Sequence, residues 1–104
     1  MDGLRALDVR ALSFEWDDAK ERINFTKHGI HFSTAARVFR DPRRMIREDT
    51  EHPPELRYNV LGKVQTVLFV VCTIRLKNSV RLISARKATA AEREVYENGS
   101  DDNA

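Results

Sequence analysis

The sequence predicts an α+β domain, a small antiparallel β-sheet packed against helices in the order β-α-α-β-β-β-β-α. Three observations carry that expectation. Residues 66–75 (TVLFVVCTIR) place Val67, Phe69 and Val71 on one side and Leu68, Val70, Cys72 and Ile74 on the other. A strand apolar on both faces belongs in the middle of a sheet. Candidate strands at 43–48, 57–63 and 79–87 accompany it, and the short connections between successive strands favour an antiparallel meander. Helix punctuation stands at both ends of the chain: Asp17 with Gly29 around residues 18–28, and Thr89-Ala90-Ala91-Glu92 before residues 93–98.

Taken in order, residues 1–13 (MDGLRALDVRALS) read as an N-terminal extension, 14–98 as the domain and 99–104 as a polar tail. Phe14-Glu15-Trp16 alternates as a short strand. Asp17 is a good N-cap, Asp18 suits the positive end of a helix dipole, and Lys27 and His28 suit the negative end. Gly29 is the expected left-handed residue that ends the helix. Ala19, Ile23 and Thr26 or Lys27 share one side of it and predict its buried stripe. Ser33 is the expected cap of a second, short helix, with Ala36 and Phe39 inward, and Asp41-Pro42 ends it. Residues 49–55 (DTEHPPE) read as a polar loop, and Lys77-Asn78 as a turn. Thr89 and Glu92 form a capping box for the last helix, with Ala91 and Val95 inward. Three helices could then cover one sheet face and leave the other open.

The chain has 104 residues and a formal net charge of +2, but the charge is unevenly spread. Residues 1–36 sum to −1, residues 37–87 to +7 and residues 88–104 to −4. The basic middle holds nine arginines and three lysines, a composition that suits phosphate and base contacts. It equally suits a solvated sheet face paired with Glu48, Asp49, Glu51 and Glu55. No apolar run approaches a membrane span, and residues 1–13 lack the apolar core of a signal peptide, so a cytoplasmic location is expected. The lone Cys72 cannot form an internal disulfide. His28, His31 and His52 are not spaced as metal ligands, and neither a metal nor a cofactor is expected. Nucleophile-elbow, P-loop and dinucleotide-binding motifs are missing from the sequence.

Cations near strand ends remain: Arg57, Arg75, Arg81 and the pair Arg86-Lys87, with Lys27-His28 closing the first helix and Tyr96 on the last. Metal-free RNA cleavage needs a base for the 2′-OH, cations for the phosphorane and an acid for the departing 5′ oxygen. These residue types could fill those roles. They could as readily be dipole partners, ion-pair partners such as Arg86 with Glu92 or Glu15, or, for Tyr96, core.

An ordered series of pieces resembles one family. Phe14-Glu15-Trp16-Asp17, Ala19-Lys20, Lys27-His28-Gly29, Phe32, Ala36, Val38-Phe39 and Asp41-Pro42 are similar to the opening of BrnT-like toxins. Arg57, Gly62, residues 70–73 (VVCT) and Arg75 follow at similar spacing. Residues 81–89 (RLISARKAT) with Glu92-Arg93 and Tyr96 form the most specific block. The resemblance runs from about Phe14 to Tyr96. It implies a RelE-like ribonuclease fold and a toxin of a type II toxin–antitoxin system. Such a toxin would be a metal-independent endoribonuclease that inhibits translation and growth. Its partner would be a BrnA-like antitoxin with a ribbon-helix-helix part, and the complex would bind operator DNA. Carried over residue by residue, Arg57 and Arg75 are expected on the scissile phosphate, Arg86 in support and His28 as a proton carrier. Lys27, Arg81, Lys87 and Tyr96 are expected to bind RNA. The sequence departs from the pattern in the length of residues 1–13, in Val64-Gln65-Thr66, where Asp-Gly is usual, and in Cys72, where a tyrosine or histidine is common. The rival readings are a non-catalytic toxin that only binds its antitoxin and acts as corepressor, and a metal-free enzyme acting on a small molecule.

Overall fold

A computed structural model describes residues 9–75 and 78–99; most of the expected extension, Lys77 of the expected turn and the tail from residue 100 lie outside the described residues. The elements are β1 (Ser13–Glu15), α1 (Asp18–His28), α2 (Phe32–Ala35), a 3-10 turn (Ala36–Arg40), β2 (Met45–Asp49), β3 (Arg57–Val64), β4 (Thr66–Arg75), β5 (Ser79–Lys87) and α3 (Ala90–Asn98). The five strands make one sheet in the order β1-β5-β4-β3-β2, with β4 in the middle as its two apolar faces require. β2 to β5 form the expected antiparallel meander. β1 joins the far edge parallel to β5, pairing Phe14 with Val80, so the sheet is mixed. No tight turn links β1 to β5; everything from α1 to β4 lies between them and supplies the long connection that a parallel pair needs.

α2 and the 3-10 turn cover one face. Phe32, Ala35, Val38 and Phe39 pack there on Val60, Leu68, Val70, Cys72, Val80 and Leu82, and Phe14 and Trp16 close the margin. Phe14 and Phe39 rings lie 5.6 Å apart, and Trp16 meets Phe32 edge-on at 6.0 Å. Gly62 lets the 3-10 turn seat closely: a Cβ there would stand 2.6 Å from Val38 Cβ and 3.0 Å from its carbonyl oxygen. Gly62→Ala should therefore overpack the core by about 1–3 kcal/mol. Thermal unfolding should show a fall of roughly 5–20 °C, and an unchanged midpoint would mean the turn is free to lift.

α3 lies on the opposite face, which corrects the expectation that all three helices share one side. Its Tyr96 packs with Val67, Ala88 and Leu61, whereas their strand neighbours Leu68 and Val60 point into the first core. The Ala88 amide donates to the Val67 carbonyl at 3.0 Å, keeping the chain in the sheet past β5 before the helix starts. The expected capping box is formed: Glu92 N donates to Thr89 Oγ1 at 3.1 Å, and Thr89 N donates to Glu92 Oε1 at 2.9 Å. The expected inward residues Ala91 and Val95 are exposed, and Tyr96 takes their place.

The first helix also differs from expectation in what it buries. Its caps are as expected: Asp17 accepts from Lys20 N, and Gly29 has φ 73°. The Ala19–Ile23–Thr26 stripe, however, faces solvent, with Ile23 59% exposed, and the buried residue is Asn24. Asn24 is held by the backbone of β5 and of the following loop, so a polar contact replaces the apolar stripe. Ser33 is not the cap of α2 either. His31 occupies that position without a side-chain cap. Glu21 of α1 reaches across instead, bonding His31 Nδ1 at 2.8 Å and accepting from Phe32 N at 3.4 Å. Among the described residues no helix is long and apolar enough to cross a membrane.

Candidate active site

Strand register assembles the arginines that sequence spacing leaves scattered. In a ladder, paired residues share a face and alternate residues return to it. Asp49 pairs with Arg57, Thr73 pairs with Arg81, and Arg81 pairs with Glu15. Tyr58 pairs with Cys72, so Arg57 and Thr73 stand side by side one step further along. Asp49, Arg57, Thr73, Arg81 and Glu15 thus form a row across all five strands. The row lies on the face that α3 covers only at its far end. Arg75 is two residues along β4 from Thr73 and adds to it.

Arg57, Arg75, Arg81 and Arg86 each have a carboxylate neighbour. Arg57 Nε donates to Glu55 Oε1 at 2.6 Å. Glu15 sits between two guanidinium groups, 3.7 Å from Arg81 and 4.0 Å from Arg75. Arg86 makes a two-pronged pair with Glu92 at 2.8 and 3.0 Å and lies 4.2 Å over the Phe69 ring. The Arg86 hydrogen bonds hold the Glu92 carboxyl below its ordinary range, against a smaller opposing effect of burial. Beneath the row, Thr73 is 7% exposed, and its hydroxyl has no hydrogen-bond partner. Asn59 Oδ1, in the adjacent row, is buried and unpartnered as well.

Four of the eight expected residues, Arg57, Arg75, Arg81 and Arg86, therefore gather on one open face. The others do not join them. Lys27 and His28 are exposed on the last turn of α1 and make no hydrogen bond or ion pair with those arginines. Lys87 pairs with Leu68, whose side chain enters the first core, so it projects away from Arg86. Tyr96 is 4% exposed and anchors α3, with its hydroxyl donating to Asp41 Oδ2 and the Arg43 guanidinium 5.4 Å above its ring. Burial first, then the Asp41 hydrogen bond, pushes the Tyr96 phenol up to about 12. Cys72 lies wholly in the first core, where burial pushes its thiol up to about 12.

Several residues at this face were not singled out from sequence. His52, which reads as a solvated loop residue, bonds Asp49 Oδ2 through Nδ1 at 3.0 Å. Asp49 is fixed in turn by the Glu51 amide at 2.9 Å, the leading cause of its lowered pKa. A carboxylate on Nδ1 orients an imidazole and leaves Nε2 available for proton transfer. The His52–Asp49 pair stands at one end of the row and Glu15 at the other. The D-x-x-H spacing at 49–52 was the available signal, and only the ladder gives it meaning. Arg47 and Asn59 join Met45, Leu61, Phe69 and Val95 around a hollow of about 200 Å³ beside the row.

The chain matches the family model described as ribonuclease toxin, BrnT, of type II toxin–antitoxin system, over residues 16–92. No curated protein sequence matches it. Among solved structures it is similar to the 1.1 Å crystal structure of the Brucella abortus ribonuclease toxin, BrnT. That likeness has a TM-score of 0.58 at 20% identity, covering 75% of this chain and 97% of that one.

Proposed function

Because this chain belongs to the BrnT family of ribonuclease toxins of type II toxin–antitoxin systems, we propose that its open sheet face is the RNA-cleaving surface. The observation that carries this is the row itself, where Arg57, Arg75 and Arg81 stand over the buried, unpartnered hydroxyl of Thr73. A phosphate placed there would exchange the exposed carboxylate neighbours for its own oxygens. Guanidinium groups match phosphate bidentately and stabilise the charge that builds on a phosphorane without a metal ion. His52 would take the 2′-OH proton through Nε2. The 2′ oxygen would then attack phosphorus, and the 5′ oxygen would leave with a proton from water. His52 thus replaces His28 in the role expected from sequence, since His28 sits on the last turn of α1, at the opposite end of that helix from Glu15.

The antitoxin we propose is a BrnA-like protein with a ribbon-helix-helix part, its complex binding operator DNA. The face offers such a partner half-buried apolar side chains, Met45, Leu61 and Phe69, beside cations. Cleavage in the cytoplasm would stop translation and growth.

End-labelled RNA incubated with the purified chain in EDTA tests the reading. The parent should cleave it. His52→Gln should be roughly 100-fold slower. Intact RNA from a folded parent, with naked RNA and ribosomes both supplied, would leave the binding-only corepressor instead.

A further inference from the structure

The cations of the row are partly neutralised by Glu15, Glu55 and Glu92, but a second group is not. Residues 37–47 contain Arg37, Arg40, Arg43, Arg44 and Arg47, with Asp41 the only carboxylate among them. Arg37, Arg40, Arg43 and Arg47 are exposed, and none of the five is within ion-pair distance of a carboxylate among the described residues. Asp41 is already engaged, accepting from the Tyr96 hydroxyl, from Lys63 N at 2.7 Å and from Arg43 N at 2.9 Å. Arg43 and Arg44 donate only to backbone carbonyls, of Glu97 and Asp41.

These cations border two shallow hollows that adjoin each other. One, of about 450 Å³, lies among Arg37, Arg40, Arg43, Lys63 and Tyr96 at the β3–β4 hairpin end. The next, of about 560 Å³, runs from Pro42 and Arg43 past Arg44 to Arg47. They share Pro42 and Arg43, and the second shares Met45 and Arg47 with the hollow beside the arginine row. A predominantly positive lining, with Asp41 and Glu92 its carboxylates, therefore continues from the 3-10 turn, along the β2 edge, to the candidate active site.

We propose that this belt is a phosphate track that holds single-stranded RNA outside the cleavage site and leads it onto the row. The inference rests on the ribonuclease reading, because its direction is set by where the belt ends. Backbone phosphates are the ligand class that rewards a line of unpaired guanidinium groups, each contact releasing counterions. An acidic protein segment is the competing occupant.

Binding of a fluorescent 2′-O-methyl RNA, which lacks the attacking hydroxyl, tests it through anisotropy across a salt series. Each phosphate neutralised on a single strand contributes about 0.7 to the slope of log K against log salt. Arg37→Gln/Arg40→Gln/Arg43→Gln should lower the slope by about 2 and weaken binding roughly 100-fold at ~0.1 M salt. With cleavable RNA, KM should rise and kcat should stay near the parent value, with far-ultraviolet circular dichroism confirming the fold. An unchanged salt slope would overturn the track, as would a variant that loses only binding to an acidic partner. A parent that binds with the steep slope yet never cleaves RNA would sink the ribonuclease reading and leave the track standing.

Discussion

Arg81→Ala should lower RNA cleavage about 100- to 1000-fold while leaving the protein folded. That range is what removal of one preorganised donor to a developing oxyanion typically costs. Arg81 stands second from the β1 end of the row, beside Thr73 on one side and Glu15 on the other. β5 also fixes its backbone between two neighbours, so its guanidinium is better placed than one at a strand end. The stability cost should be small. Its pair with Glu15 is 3.7 Å long and partly exposed, and such pairs contribute at most about 1 kcal/mol. A melting midpoint within several degrees of the parent is therefore expected. Arg81→Lys separates charge from geometry: it keeps the cation but loses the planar fork, and should recover only part of the rate. Undiminished cleavage by Arg81→Ala would remove the row from the chemistry.

Two functions of positive charge are separated in this reading. The row is tethered by carboxylates, so its side chains are held in place before substrate arrives, and phosphate must displace Glu15 or Glu55 to bind. The belt at residues 37–47 makes no ion pair among the described residues and should act first and at longer range. Salt should consequently weaken capture more steeply than it slows the chemical step, because screening acts most on exposed charges.

How far the sequence reveals this arrangement follows from how local each signal is. The capping box at Thr89–Glu92, the Asp17 cap, Gly29 and the ten-residue central strand are written in adjacent residues, and they stand where expected. Pairing between distant segments is not written that way. The parallel docking of β1 on β5, and the passage of α3 to the second face, depend on which edge and which face remain free. The same limit governs the site. Arg57, Arg75, Arg81 and Arg86 can be picked out as strand cations, but only register shows that they share a face and that Lys87 does not. His52 gains meaning only when Asp49 is seen to pair with Arg57. Tyr96, which fits a toxin motif, is a core residue because Val67 and Asp41 surround it.

Asn24→Leu should be the most damaging single change to the fold among those considered, although residue 24 touches no arginine of the row. β1 pairs only with residues 79–81 of β5, so further along the outer edge of that strand is unpaired at Ala85. Asn24 fills the vacancy. Its Nδ2 donates to Ala85 O at 2.9 Å and to Ile30 O at 3.0 Å, and its Oδ1 accepts from Ala85 N at 3.0 Å. A strand amide and carbonyl would otherwise be buried without partners, at about 1–3 kcal/mol each. Leucine approximates the shape but satisfies neither, so a loss of roughly 2–5 kcal/mol is expected, a large part of a small domain's stability. Urea unfolding should show this as a lower midpoint with an unchanged slope. Asn24→Asp sharpens the argument. It keeps an acceptor for Ala85 N but, when ionised, sets negative charge against two carbonyls. Only the protonated carboxyl can donate to one of them, which raises the folded-state pKa above the unfolded one. The variant should then be most stable below the unfolded carboxylate pKa and lose stability as pH rises through the folded value. A pH-independent midpoint for Asn24→Asp, or a loss under about 1 kcal/mol for Asn24→Leu, would show that α1 is held by its loop contacts instead of by the edge of β5.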